Sequence, residues 1–321
     1  MAKAVVATAF GGPEVLSVID TPVRQPHQGE VLIEVRAAGT NPIDYKQYSG
    51  MMGRNPDSLP IHLGREVAGV VTEEADGAEG SAGAIRVGDE VVAFRVAGGY
   101  AGEIVVPAST VVPKPTTLSF EQASGMMLTG TTAVHALTVI RAGAGDTVLV
   151  HGAAGGVGLM AIQLAADAGA RVIGTASEGG HALLREFGAE PVTYGPGLEE
   201  RIRALAPGGV DAAFDTVGGD EALDTSLAVV PDRDRIVTAV AGPRAFDASI
   251  KVIGGAPGAD PGTEIRDEAR LQLVRLAEDG KLRVVVAATY PLAEAAAAHR
   301  ALATGHTHGK IILIPTPVVS S

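Results

Sequence analysis

Residues 148–175 read VLVHGAAGGVGLMAIQLAADAGARVIGT, and this stretch decides the fold. A short apolar strand, a glycine-rich turn, an apolar helix and a second strand follow one another within about 30 residues. This order is typical of the strand–turn–helix–strand unit from which parallel sheets are built. It predicts an α/β architecture around the turn.

The glycines of the turn have separate physical roles. Gly152 permits the sharp exit from the strand, Gly155 lets the backbone approach a pyrophosphate, and Gly158 lets the helix pack close to the sheet. The helix N-terminus offers N–H groups to an anion. Glycine turns without chemistry are common, but the ordered strands and helix favour a dinucleotide site here. The predicted cofactor-binding residues of the turn are Gly152, Ala153, Gly155, Gly156, Val157 and Gly158.

Outward from this unit, apolar strands alternate with helices. Strands are predicted at 148–151, 171–175, 191–194, 211–214, 234–240 and 249–254. Helices are predicted near 157–168, 180–187, 197–206 and 220–229. Six strands with crossover helices predict an open, doubly wound parallel Rossmann sheet.

The segments on either side of this sheet have a different pattern. Residues 3–124 contain many short strands between Gly/Pro turns, which predicts a compact antiparallel barrel. Residues 123–140 are predicted to form two short helices broken at Gly130. The tail is predicted to form a helix at 264–279, a strand at 283–290, a helix at 292–303 and a strand at 310–315.

Composition limits the function classes. A length of 321 residues suggests two domains, and the net charge of −12 argues against nucleic acid or an anionic membrane as a partner. The absence of cysteine excludes disulfides and any Cys-liganded zinc. No apolar run reaches the about 18 residues of a membrane span, and no secretory signal is visible. We therefore expect a cytoplasmic protein.

Four motifs together resemble one family. HGAAGGVGLMAIQLA at 151–165, NPIDYK at 41–46, LGREVAGVV at 63–71 and GHTHGKIIL at 305–313 are similar to the zinc-independent quinone oxidoreductase (zeta-crystallin-like) branch of the medium-chain dehydrogenase/reductase superfamily. The resemblance implies a chaperonin-ten-like β-barrel domain formed by 1–124 and 259–321, with a Rossmann domain inserted at 125–258. It also implies a homodimer formed through the edge strand that ends at Gly254.

The residues after the second strand favour NADP(H). An NAD site usually has an acidic residue about 20 positions beyond the turn, which binds the ribose 2′-hydroxyl. Ser177 stands at this strand end and leaves room for a 2′-phosphate, and the resemblance places Tyr194 beside that phosphate. Glu178 would repel a phosphate if it faced the site, whereas His181 and Arg185 on the following helix would attract one.

Further cofactor contacts come partly from the resemblance and partly from position. The family places Thr132 at the nicotinamide and Lys310 in the tail motif; a threonine inside a helix without a ligand is the alternative. Carboxyl ends of parallel strands bind the ligand of an open sheet. The residues predicted at such ends are Val217, Ala241, Gly242, Gly254 and Gly255.

The zinc ligands of related alcohol dehydrogenases have no counterpart in this sequence. Asn41 stands near the position of the first cysteine, and Gly64-Arg65-Glu66 replaces the Gly-His-Glu segment. Neither position offers the thiolate or imidazole that zinc prefers. Without that Lewis acid, alcohol oxidation is implausible, and we predict no metal site.

A hydride acceptor that needs little activation fits such a site. Quinones and α,β-unsaturated carbonyls are small molecules of this kind. Asn41 is predicted to donate to the substrate oxygen, Tyr45 to orient or protonate it, and Lys46 to bias the local potential. Each has a structural alternative: a turn at Asn41, a core tyrosine and a solvated lysine. The alternative functions are an enoyl-thioester reductase of a biosynthetic pathway and a non-catalytic NADPH-binding sensor or structural protein.

Overall fold

The structure of the protein is a computed structural model that describes residues 1–316. It divides into a first unit, formed by residues 1–128 with 271 onward, and a second unit formed by 129–270. The predicted borders at 124 and 259 lie before two helices that run through the observed borders. Residues 317–321, the end of the predicted first domain, lie outside the described residues.

Eighteen strands are described in residues 1–316. They are β1 (Ala2–Ala7), β2 (Leu16–Thr21), β3 (Glu30–Gly39), β4 (Ile61–His62), β5 (Glu66–Glu74), β6 (Glu79–Gly80), β7 (Gly83–Ala84), β8 (Glu90–Phe94), β9 (Glu103–Pro107), β10 (Val111–Pro113), β11 (Thr147–His151), β12 (Arg171–Ala176), β13 (Ala189–Thr193), β14 (Ala212–Asp215), β15 (Ile236–Thr238), β16 (Lys251–Val252), β17 (Val286–Pro291) and β18 (Lys310–Ile314).

Ten α-helices are described in the same range. They are α1 (Pro42–Ser49), α2 (Phe120–Ala123), α3 (Met127–Val139), α4 (Gly156–Asp167), α5 (His181–Glu186), α6 (Leu198–Leu205), α7 (Asp220–Val229), α8 (Pro243–Asp247), α9 (Thr263–Glu278) and α10 (Ala295–Ala303). Within the described part of the chain, no helix is long and apolar enough to cross a membrane.

The second unit contains the predicted Rossmann sheet. Its six strands are all parallel and follow the order β13-β12-β11-β14-β15-β16. The chain therefore winds outward in both directions from β11, as right-handed crossovers through helices require. Strand and helix side chains share one core, which includes Leu149, Ile173, Ala213, Ile236, Ile202 and Leu223. The predicted doubly wound α/β fold is confirmed.

The first unit is mainly antiparallel. One sheet of seven strands contains the path β10-β8-β5-β3-β18-β17, with β9 also paired to β3, and β2-β1-β4 form a second sheet. The tail strand β18 pairs antiparallel with β3, so the tail returns to this unit as the resemblance implies. The β17–β18 pair is parallel, because α10 lies between these strands in the chain and reverses its direction.

The helix break predicted at Gly130 is wrong. Ser119 caps α2, since its hydroxyl accepts a hydrogen bond from the Gln122 N–H at 3.3 Å. The chain turns at 124–126, and α3 then runs without interruption through Gly130. Gly130 is buried inside this helix and forms no turn.

Candidate functional site

The glycine turn connects β11 to α4 and is fixed on both sides. Gly152 has φ +69°, and a Cβ on this residue would lie 2.6 Å from the Thr216 hydroxyl oxygen. The N–H groups of Gly152 and Ala153 donate to the hydroxyl and carbonyl oxygens of Thr175 at 3.1 and 2.9 Å. Because Thr175 lies in β12 and Thr216 follows β14, the turn is held between the two neighbouring strands. Glycine is required at 152 for both its dihedral angle and its close packing.

Gly158 and Gly155 have different surroundings. A Cβ on Gly158 would collide with the Gly152 carbonyl oxygen and lie 2.6 Å from the Ala153 Cα. At Gly158 the helix packs on the turn itself, and α4 also lies against β11 and β12 of the sheet. Gly155 is the N-cap of α4, and a Cβ there would meet only the Gly152 oxygen, at 3.3 Å. This open side is what the approach of a phosphate to the helix N-terminus requires.

Asp215 ends β14 and organises the turn that follows. Its buried carboxylate accepts hydrogen bonds from the N–H groups of Val217 and Gly218 at 2.8 and 3.0 Å, and from the Thr238 hydroxyl at 2.8 Å. The Val217 side chain is 57% exposed. Asp215 therefore fixes the backbone beneath an exposed residue that was predicted to contact the cofactor. An aspartate at a strand end before two glycines was the sequence signal for this role.

The other predicted contacts lie along the same edge of the sheet. Gly242 follows β15, and Gly254 and Gly255 follow β16; a Cβ on any of these glycines would have no neighbour within 4 Å. Ala241 is exposed beside Gly242. We call the carboxyl ends of β11–β16 and the turns after them the nucleotide edge. Thr132 lies in α3 and is 6% exposed.

Ser177 and Tyr194 lie side by side on the nucleotide edge. Each directly follows a residue of the register pair Ala176–Thr193 that joins β12 to β13. Ser177 is half-buried and Tyr194 is 48% exposed. Glu178 is exposed on the 3₁₀ turn after Ser177. The two residues predicted to surround a 2′-phosphate are therefore neighbours.

Two basic residues near this pair have different partners. His181 Nε2 lies 3.3 Å from the Thr193 hydroxyl oxygen. The Arg201 guanidinium donates to the carbonyl oxygens of Thr193, Gly195 and Pro196 at 2.8 to 3.1 Å. Arg201 thus holds the loop that carries Tyr194, a role that sequence reasoning missed because it depends on backbone carbonyl positions. Arg185 is exposed.

A buried ion pair lies in the first unit. Lys310 Nζ donates to Glu66 Oε1 at 3.0 Å, to Asn41 Oδ1 at 2.6 Å and to the Thr40 carbonyl oxygen at 2.8 Å. Glu66 Oε1 also accepts from Asn41 Nδ2 at 3.0 Å, and Oε2 accepts from the Leu128 N–H at 2.9 Å. The side chains of Lys310 and Glu66 are 5% and 0% exposed. We call Asn41, Glu66 and Lys310 the Lys310 cluster.

The Lys310 cluster corrects the direct contacts predicted for Asn41 and Lys310. The three donors of the Lys310 ammonium face three protein oxygens, and the Asn41 amide donates to Glu66 and, at 3.4 Å, to the Gly39 carbonyl oxygen. Asn41 is only 1% exposed. In this arrangement the two side chains position other groups and do not themselves present donors to a ligand. Glu66 was the missed member, because only the fold brings it to Lys310.

Tyr45 and Lys46 lie in α1, which begins directly after Asn41. Both side chains are half-buried, and Tyr45 packs partly against the core of the first unit. The helix is fixed at its start, since Asp44 Oδ2 accepts the Asn41 N–H at 2.9 Å. The structure therefore gives Tyr45 a fixed backbone together with partial access to solvent. Its role toward a substrate stays a prediction.

Two buried side chains of α1, Asp44 and Tyr48, are joined by hydrogen bonds through Tyr100 and His299. Asp44 Oδ2 accepts from the Tyr100 hydroxyl at 2.8 Å, and the Tyr100 oxygen lies 3.0 Å from His299 Nε2. His299 Nδ1 lies 2.8 Å from the Tyr48 hydroxyl oxygen. Burial raises the pKa of Asp44 to about 6 and lowers the pKa of His299 to about 4. Near pH 7, a charged Asp44 is therefore held in the core at a cost in stability.

Two family models match the chain. One is described as the alcohol dehydrogenase GroES-like domain and matches residues 27–116. The other is described as zinc-binding dehydrogenase and matches residues 187–313.

Relatives and solved structures match over the whole length. The chain is 35% identical to the quinone oxidoreductase of Pseudomonas aeruginosa, over 98% of the chain and 100% of the relative. It is 31% identical, with a TM-score of 0.84, to the structure of Escherichia coli quinone oxidoreductase complexed with NADPH, over 98% of the chain and 100% of that protein. An NAD-dependent alcohol dehydrogenase structure has the same identity, 31%, and a TM-score of 0.84, with 97% and 99% coverage.

Substitution of Gly158 tests the packing of α4 on the turn. We expect Gly158→Ala to weaken dinucleotide binding at least about tenfold, because the added methyl group collides with the Gly152 carbonyl and displaces the turn. Gly208→Ala is the control, since a Cβ there has no neighbour within 4 Å. Fluorescence titration of both variants measures the effect. Wild-type affinity in Gly158→Ala would contradict this packing.

Substitution of Asp44 tests the buried carboxyl. The pKa of Asp44 is raised to about 6 in the folded state. Its contribution to the free energy of unfolding is therefore complete at low pH and is lost as the pH rises from about 4 through about 6. Asp44→Asn keeps an acceptor for Tyr100 without the charge. We expect the variant to gain on the order of 2 kcal/mol of unfolding free energy relative to wild type between pH 4 and pH 8. Urea denaturation at both pH values measures this difference, and a constant difference would refute the assignment.

Proposed function

The chain belongs to the quinone oxidoreductase branch of the medium-chain dehydrogenase/reductase superfamily, and we propose that it transfers hydride from NADPH to quinones or α,β-unsaturated carbonyls without zinc. The observation that carries this proposal is the nucleotide edge. A fixed glycine turn, an open helix N-terminus and the Ser177–Tyr194 pair lie along one edge of the parallel sheet.

The nucleotide edge supports NADP(H) over NAD(H). Gly155 and the first turn of α4 would hold the pyrophosphate, and Ser177 with Tyr194 would accommodate the 2′-phosphate. Ser177 stands where an NAD site has an acidic residue, and Glu178 is exposed on the adjacent turn. The E. coli relative was solved with NADPH. When bound, NADPH supplies the hydride.

The residues of the chain do not fit a catalytic zinc. The Glu66 carboxylate already accepts hydrogen bonds from Lys310, Asn41 and Leu128. The sequence contains no cysteine, and within residues 1–316 no three His, Asp or Glu side chains are grouped as metal ligands. A catalytic zinc is held by three protein ligands, most of them His nitrogen or Cys sulfur atoms. No step of the proposed reaction therefore uses a metal.

The substrate is proposed to bind at α1. As hydride reaches the acceptor, negative charge develops on its oxygen, and the Tyr45 hydroxyl is proposed to donate a hydrogen bond or a proton to it. Lys46 adds positive potential on the same helix. The Lys310 cluster fixes the N-terminus of α1 through Asn41, which preserves the orientation of both side chains.

A homodimer through the second unit is part of the proposal. β16 lies at one end of the six-stranded sheet and pairs with β15 on its other side. On the outer side of β16, the Val252 carbonyl oxygen and the Gly254 N–H are bonded to Asp260, so a second copy would contact this edge beside that bridge. The dimer proposed at this edge rests on the family resemblance.

Coenzyme oxidation tests the function. NADPH and NADH consumption are measured side by side with a benzoquinone, a naphthoquinone, a 2-alkenal, an enone and a crotonyl thioester. We expect turnover with quinones or enones and a preference for NADPH. Turnover of the thioester alone would favour the enoyl-thioester reductase, and NADPH binding without turnover would favour a sensor or structural protein.

Ser177→Asp tests the coenzyme preference. The new carboxylate would repel the 2′-phosphate and accept from a free 2′-hydroxyl, so we expect kcat/KM for NADPH to fall at least about tenfold while that for NADH is retained or rises. Glu178→Gln is the neighbouring control, and we expect a much smaller change because Glu178 is exposed. An unchanged NADPH-to-NADH ratio in Ser177→Asp would place the 2′-phosphate elsewhere.

Tyr45→Phe tests the proton donor. Loss of the hydroxyl should lower kcat by about ten- to a hundredfold while leaving the KM for NADPH unchanged, since the residue is proposed to act on the acceptor. Tyr290→Phe is the matched control, because Tyr290 is also half-buried and packs against the same core. Stopped-flow measurement of NADPH oxidation compares the two variants, and Tyr290→Phe is expected to keep the wild-type rate. A wild-type kcat in Tyr45→Phe would assign the proton to solvent.

A further inference from the structure

His135 is buried in α3 and joins that helix to the segment after β16. His135 Nε2 lies 3.0 Å from Asp260 Oδ2, and Arg266 Nε donates to His135 Nδ1 at 3.2 Å. A guanidinium can only donate, so Nδ1 accepts and Nε2 carries the hydrogen that is donated to Asp260. The donor and the acceptor are therefore fixed in both hydrogen bonds, the one from Arg266 to His135 and the one from His135 to Asp260. Burial lowers the pKa of His135, which favours the neutral ring that this arrangement needs.

Asp260 closes the loop that carries Gly254 and Gly255. Its N–H donates to the Val252 carbonyl oxygen at 2.8 Å, and its carbonyl oxygen accepts from the Gly254 N–H at 2.8 Å. Its Oδ1 accepts from the Gly262 N–H, also at 2.8 Å. One residue thus holds both ends of the segment 254–260 and still offers Oδ2 to His135.

The imidazole ring lies directly against this segment. A Cβ on Gly262, which has φ +55°, would collide with the ring of His135. Thr132 precedes His135 by three positions in α3, so the two residues share one face of the helix. A single ring therefore connects the face of α3 that carries Thr132 with the loop that carries Gly254 and Gly255.

We propose that His135 and Asp260 are positioning residues for NADP(H): their hydrogen bond fixes the 254–260 loop on α3 and thereby keeps two predicted cofactor contacts in register. The inference rests on the proposed function, because Gly254 and Gly255 lie on the nucleotide edge that is assigned to NADP(H) there. Under this proposal, His135 and Asp260 affect the affinity for the coenzyme without contacting it.

Asp260→Asn tests the fixed polarity. The amide preserves the size of the side chain and its acceptor for the Gly262 N–H, but it turns an N–H toward His135 Nε2–H, and Arg266 blocks the other tautomer. We expect the Kd for NADPH to rise about three- to tenfold with a small effect on kcat. Asp232→Asn is the matched control. Its side chain is 52% exposed against 53% for Asp260, and its Oδ1 likewise accepts an N–H two residues later.

The second variant is a compensating one. Arg266→Met removes the donor to Nδ1, so His135 can adopt the tautomer in which Nε2 accepts from an amide at 260. We expect Asp260→Asn combined with Arg266→Met to bind NADPH more tightly than Asp260→Asn alone. A purely structural role would make the two losses add. Additive or greater loss in the double variant would overturn the proposal.

Hydrogen exchange of the nucleotide-free protein distinguishes failure of the positioning role from failure of the proposed function. We expect faster exchange of the 253–262 peptide in Asp260→Asn, wild-type exchange in Asp232→Asn and protection restored in the double variant. Unchanged exchange and unchanged Kd in Asp260→Asn would overturn the positioning role while leaving the proposed function intact. A wild-type protein that binds neither NADPH nor NADH would instead overturn the proposed function, and the coenzyme role of His135 and Asp260 with it.

Discussion

The ion pair between Lys310 and Glu66 is the constraint on which the first unit depends. It joins β18 to β5, and its remaining hydrogen bonds reach the start of α1 through Asn41 and the start of α3 through Leu128. Both charges are almost completely removed from water, so loss of one partner would leave an uncompensated buried charge, at a cost of about 3–5 kcal/mol. The helix that carries Tyr45 and Lys46 is fixed from this point.

The same pair engages the hydrogen-bonding groups of its members. The Glu66 carboxylate accepts from an ammonium, an amide and a backbone N–H, and the Lys310 ammonium is held by three protein oxygens. Neither side chain is therefore left to bind a metal ion. The proposed acceptors, quinones and enones, delocalise the developing charge themselves and need no metal ion. The proposal also depends on the nucleotide edge of the second unit, which would hold NADP(H).

Local sequence predicted the second unit better than the polar centre of the first. The turn at Gly152–Gly158 and the apolar strands after it carry their own pattern, so the open six-stranded sheet followed from the alternation of strands and helices. The order of its strands is a finding of the structure. Glu66 and Lys310 are 244 positions apart, and no local pattern links them. The amide of Asn41 was expected to face a substrate because the motif that contains it resembles the cleft motif of the family. Only the tail strand, which brings Lys310 beside β3, shows that it faces the ion pair.

Turnover of metal-depleted protein tests the central claim most directly. The protein is treated with a chelator, its zinc content is measured by elemental analysis, and NADPH oxidation with a benzoquinone is followed before and after treatment. The proposed zinc-free site predicts substoichiometric zinc and an unchanged rate of NADPH oxidation. Stoichiometric zinc, with a rate that is lost on chelation and returns when zinc is added, would contradict it.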